Sequence, residues 1–260
     1  MTAQSQRIGL LGKTPRQAEF VKLNAATPLA RQLYGWMEEG VERARRARLD
    51  LPSEPVSFVF TAPGQKQALV GLMSPSVDSV GRAFPLAVFT EVVSADTAPR
   101  YALTPEAFQP FLRAAGMLTR AASEVDVPQL LERAASLPLP GPGDFSVAKR
   151  LRDTALAEHR TADLLSPVVE GSPEGGHYYA LHTFLTACMG ERGREQSPAG
   201  VALDCPFPTS VGPVAWLELS ARLLALAQPA PRLLLVRGRA APAAAQPGLR
   251  PSPALFLALA

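Results

Sequence analysis

Cysteine is almost missing: Cys188 and Cys205 are the only two in 260 residues, far apart and without a CxxC. That excludes a disulfide framework and a thiolate zinc site, and it fits a reducing cytoplasm. Histidine is nearly as scarce, with three residues, His159, His177 and His182. The chain holds no H-E-x-x-H and no G-x-S-x-G, so two common hydrolytic frameworks are lacking. His177 and His182 lie five positions apart, which on a helix turns them about 140° from one another, a poor arrangement for a metal. Charge is sparse too. Only 19% of residues are charged, with a net +3, and this lends nucleic-acid binding no support. No apolar run reaches the ~18 residues of a membrane span, and the opening MTAQSQRIGLLGK puts its apolar stretch too early and too short for a signal peptide. The expectation is a cytoplasmic chain with no membrane insertion, no metal or other cofactor and no small-molecule substrate.

What is present is material for a large core, since 47% of residues are hydrophobic. The 26 prolines and 19 glycines punctuate periodic segments instead of forming a low-complexity tract. Ile8 to Leu11, closed by Gly12, reads as a buried first strand. Thr27 and Pro28 supply an N-cap and a first-turn proline for a helix over 28–48, whose apolar stripe is Leu29, Leu33, Trp36, Met37, Gly40, Val41 and Ala44. The basic group Arg43, Arg45, Arg46 and Arg48 reads as the solvated end of that helix. Val56 to Thr61, Ala68 to Met73 and Phe84 to Val93 read as three strands, the first two joined by the short link 62–66. Thr104 with Pro105 opens a helix carrying Phe108, Phe111, Leu112, Ala115 and Leu118, and Asp126 with Gln129 makes a capping box for the next.

The fold class expected is α+β: a mainly antiparallel sheet with helices packed on it, in the order strand, helix, three strands, two helices. Longin and roadblock platforms share that order, an analogy at the level of fold alone. A second mixed α/β half follows. The boundaries are 1–138 for the first domain, 139–145 for a Pro/Gly linker and 146–260 for the rest. In the second half, 146–158, 177–190 and 213–227 read as helices, 201–203, 232–236 and 254–259 as strands, and 171–176 and 240–247 as loops. An apolar strand at the very end suggests that a longer protein continues beyond it.

Two segments stand out. SPSVDSVGRAFP, from Ser74 to Pro85, joins two strands and is too constrained for an ordinary hairpin turn. Pro75 and Pro85 fix φ, Gly81 accepts positive φ, and Asp78 can take backbone N–H bonds or pair with Arg82 four residues on. Such a loop is rigid and self-bonded, and it serves either as a staple between strands or as a fixed surface for a partner. GKTPRQAEF, from Gly12 to Phe20, lacks phosphate-loop spacing. Gly12 ends the strand, Thr14 and Pro15 turn the chain, and Phe20 anchors it. Lys13, Arg16 and Glu19 are then expected on the surface at the sheet end where the other loops emerge.

These two segments resemble the signatures of the TagF family, accessory proteins of bacterial type VI secretion systems. Gly12, Lys13, Pro15 and Phe20 match a G-K-x-P-x-x-G-D-F motif, with Ala18-Glu19 standing where the family has Gly-Asp. Pro75, Ser76, Asp78, Val80, Gly81, Arg82, Phe84 and Pro85 match M-P-S-x-D-x-V-G-R-x-F-P, with Ser74 in place of the methionine. The resemblance covers about residues 7–137. It implies a non-enzymatic, post-translational repressor of type VI secretion whose partner is a forkhead-associated scaffold or another component of the apparatus. The interaction surface it points to is the Asp78 to Arg82 loop with the Lys13 to Arg16 turn. Two other readings remain open: a longin-like platform for a small GTPase, and a hydrolase or phosphatase using Asp78.

Overall fold

Ile8–Thr14 (β1) is buried at all its positions. In this computed structural model the described residues are 7–51, 53–61, 66–93 and 102–160, the strands 200–204, 233–237 and 254–258, and the single positions Tyr178, His182, Thr186 and Glu218. Two units divide the chain, one of residues 1–97 with 108–140 and the other of 98–107 with 141–260.

The first unit is built on a five-stranded antiparallel sheet. Gln17–Leu23 (β2), Val56–Thr61 (β3), Gln67–Ser74 (β4) and Leu86–Val93 (β5) join β1 in the spatial order β2-β1-β5-β4-β3. The α+β class and the three strands β3 to β5 agree with the sequence reading. Strand β2 does not. GKTPRQAEF is a hairpin and not a turn leading to a helix: Pro15 and Arg16 form its tip, and β2 pairs back on β1 with Thr14 opposite Gln17. The register then slips between Thr14 and Gly12, which faces Val21. This irregularity, together with a single buried residue in QAEFVKL, Val21, is why no clean alternation marks the strand.

Helix α1, Pro28–Ala47, begins as expected, with the Thr27 hydroxyl accepting from Ala30 N–H at 3.2 Å. Its buried stripe is Leu29, Ala30, Leu33 and Met37. Trp36, Val41 and Ala44 are half-buried and Gly40 is exposed, so the stripe is shorter than the spacing suggests. Arg43 pairs with Glu39, while Arg45 and Arg46 pair with Glu42, all on the exposed helix end.

The helix expected after Thr104 is broken. Thr104–Ala107 (α2) is one short turn that falls in the second unit, and Gln109–Ala121 (α3) carries the apolar face Phe111, Leu112, Ala115, Gly116 and Leu118. Phe108 lies outside helical geometry between them, at φ −94° and ψ 5°, and Pro110 follows within the first turn of α3. Proline removes an N–H donor and disfavours helical backbone just before it. Val127–Ala135 (α4) is capped by Asp126, whose side chain accepts from Gln129 N–H at 2.8 Å.

Helices cover both faces of the sheet. A Cβ added to Gly9 or Gly71 would strike the Phe89 ring or its Cβ, so β1, β4 and β5 close tightly around that ring on one face. Glu91, two residues on and therefore on the same side, bonds Thr27 at the start of α1. Leu72 points the other way and meets Gly116 of α3, with α4 beside it over β1 and β2.

In the second unit, Pro142–Glu158 (α5) starts four residues earlier than expected, so that 142–145, read as linker, form its first turn. Gly200–Asp204 (β6), Leu233–Arg237 (β7) and Ala254–Ala258 (β8) are antiparallel, with β8 between the other two. Arg152 of α5 pairs with Glu218 at 3.2 Å. The expected loops at 171–176 and 240–247, both cysteines, His177, Trp216 and all but single positions of the helices at 177–190 and 213–227 lie outside the described residues.

Candidate functional site

The sheet register brings the two unusual segments together. Leu86 opens β5 and faces Gly12 of β1 on one side and Ser74 of β4 on the other. The end of β1 and the loop from Pro75 to Pro85 must therefore meet. Gly12 makes the approach possible: its φ is +145°, and an added Cβ would sit 2.1 Å from the Pro85 carbonyl oxygen.

Asp78 is the hub. It is 3% exposed, and each carboxylate oxygen is fully used. Oδ1 accepts from the N–H groups of Val80 at 3.0 Å and Arg82 at 2.9 Å. Oδ2 takes Arg82 Nε at 2.6 Å and Lys13 Nζ at 3.0 Å. The loop backbone closes around it, with Asp78 N–H to the Arg82 carbonyl, Gly81 N–H to the Asp78 carbonyl and Phe84 N–H to the Ser76 carbonyl. Gly81, at φ +85°, supplies the left-handed turn the sequence anticipates.

Burial alone would raise the Asp78 carboxyl, because the charged form loses water. The Arg82 N–H, the Lys13 ammonium, the Arg82 guanidinium and the Val80 N–H outweigh that effect and hold it well below the usual carboxylate range.

The sequence left the Asp78 loop as a staple or a surface, and the buried Asp78 carboxylate staples it; Lys13, expected at the surface, is buried beside it. Lys13 is only 6% exposed. Besides Asp78 it donates to the Ala18 carbonyl and lies 4.4 Å from the centroid of the Phe20 ring. Phe20 is half-buried and not a core anchor. It packs edge-on against Phe84 at 4.9 Å and Tyr34 at 5.5 Å.

Ser76 donates its hydroxyl to the Lys13 carbonyl at 2.8 Å. Arg82 Nη2 donates to the Ala18 carbonyl at 2.8 Å, and Ser79 N–H to the Gln17 carbonyl at 3.3 Å. The loop thus runs along the start of β2, at the edge of the sheet. At the hairpin tip Arg16 reaches the Glu124 carbonyl, 2.9 Å away, at the end of α3. Pro15 and Pro85 are half-buried; Pro75 is exposed. Sequence reasoning missed Tyr34 and the Ala18 carbonyl. Tyr34 carried a signal, being an aromatic next to Leu33 on the α1 stripe. A backbone carbonyl carries none.

A family model described as "TagF N-terminal domain, Type VI secretion system-associated" matches residues 9–137, a span that includes both segments of this site. Residues 9–137 of this chain are a TagF N-terminal domain. Among solved structures, the crystal structure of PA0076 from Pseudomonas aeruginosa PAO1 is similar, with 25% identity, a TM-score of 0.44 and coverage of 52% of this chain and 64% of that one. The chain therefore matches less than two thirds of that protein's length. No match is found among curated proteins. In the TagF domain both motifs resolve into one object, a Lys13–Asp78–Arg82 cluster around a buried carboxylate that locks a loop to a hairpin. No helix among the described residues is long and apolar enough to cross a membrane, and none of their His, Cys, Asp and Glu side chains form a group able to hold a metal.

Proposed function

We propose that this chain is a non-catalytic, cytoplasmic regulator that restrains type VI secretion by binding a protein component of the apparatus, a forkhead-associated scaffold foremost. The family assignment supports the secretion system. The observation that carries the non-catalytic part is the state of Asp78. A general acid or base needs a carboxyl whose proton can move and whose oxygens face a reactant. Asp78 has both oxygens filled by Lys13, Arg82 and two backbone N–H groups, and its acidity is strengthened, the opposite of what an acid catalyst requires. A rigid loop fixed on a scaffold suits recognition instead.

Secretion by a host with a working apparatus tests the reading. Deleting the gene should raise release of the system's secreted proteins and overproducing the chain should lower it. Unchanged secretion in both strains would remove the regulatory function.

A further inference from the structure

Outside the Asp78 cluster, the same loop turns a second set of side chains to solvent. Val80, at its tip, is 65% exposed and Val77 is 43% exposed. Val77 bridges Ala83 antiparallel, so the exposed Val77 and Ala83 side chains lie on one side of the loop. Arg82 is 61% exposed along its side chain but is not loose: Nε is fixed on Asp78 and Nη2 on the Ala18 carbonyl. Its Nη1 has no bond among the described residues and remains free to donate.

We propose that Val77, Val80 and Arg82 form a contact surface for a carboxylate-bearing segment of a protein partner, which rests on the binding function proposed above. Three features select that occupant. The free edge of a guanidinium is a donor matched to a carboxylate. Among the exposed charges of residues 12–22 and 75–85, Arg16, Lys22 and Arg82 are cations and Glu19 is the anion, so the segments favour an acidic counterpart. Two exposed valines beside the cation favour a protein over a polyanion such as nucleic acid, which calls for a denser basic stripe.

Because the loop is tied down before the partner arrives, little conformational entropy is lost on binding. The buried Lys13 and Asp78 act as positioning residues, holding Arg82 in place without touching the partner. Arginine fixed in this way, beside apolar side chains, has the character of a binding hot spot.

The test measures affinity by calorimetry between the full chain and the purified forkhead-associated scaffold of the same secretion system. The Val80 side chain faces solvent, so Val80→Glu and Val80→Lys should melt at the temperature of the unmodified protein. A carboxylate placed beside the partner's own should weaken binding at least about tenfold. Val80→Lys should bind as tightly as the unmodified chain or more tightly. Equal affinity for both variants and the unmodified chain overturns the surface, and equal weakening by both overturns the acidic partner. Should a Val80 variant lose its fold, Val77→Glu and Val77→Lys repeat the comparison from the base of the loop. If the unmodified chain itself does not bind the scaffold, the proposed partner fails first and this inference falls with it.

Discussion

Asp78 sits between two cations of different character, and the difference predicts how each substitution behaves. Lys13 is buried with it, whereas Arg82 is largely exposed. Asp78→Asn leaves the Lys13 ammonium buried without its counter-charge, a costly outcome. Arg82→Ala removes two hydrogen bonds but leaves Lys13 and Asp78 paired. Thermal denaturation should show both variants destabilised, with Asp78→Asn melting lower.

The pH dependence follows from the same carboxyl. Its folded pKa lies below the unfolded value of about 4, so its contribution is fully present above that pH and is lost as the pH falls below it. Asp78→Asn should melt with a shallower acid dependence than the unmodified protein below about pH 4. Nearby, the buried Thr14 hydroxyl has no hydrogen-bond partner among the described residues. Thr14→Val should therefore be neutral or raise stability by about 1 kcal/mol, measured by denaturant unfolding. Gly12→Ala should lower it by more than about 2 kcal/mol, because both the positive φ and the Pro85 carbonyl oppose a side chain.

Elements whose sequence carries an unbroken signal were legible. Strands β3, β4 and β5 are apolar runs bounded by turn residues, and α1 announces itself through Thr27 and Pro28. Thr27→Ala should destabilise by at least about 1 kcal/mol in the same unfolding measurement, the ordinary worth of an N-cap, because the bond to Glu91 is lost with the cap. Strand β2 was not legible, because a register slip beside Lys13 removes the alternation that would identify it. The break at Phe108 was hidden for another reason: apolar spacing continues through it while Pro110 alone interrupts the backbone. Of the site, the Asp78 to Arg82 pair could be read from spacing four residues apart. The Lys13 to Asp78 pair could not, since 65 positions separate them and only the shared partner Leu86 brings their strands together.

At the scale of the whole chain, the TagF domain occupies residues 9–137 and concentrates its two motifs at one end of one sheet. Motif residues divide there into two groups. Gly12, Lys13, Ser76, Asp78 and Phe84 face inward and build the lock; Val80 and Arg82 face outward. One loop is thus held rigid on its inner side and exposed on its outer side. The measurement that tests this most directly is type VI secretion from a host whose only copy of the chain carries Val80→Glu. This strain should contain normal levels of folded protein yet secrete as the deletion strain does. Secretion held at the level of the unmodified strain would contradict it.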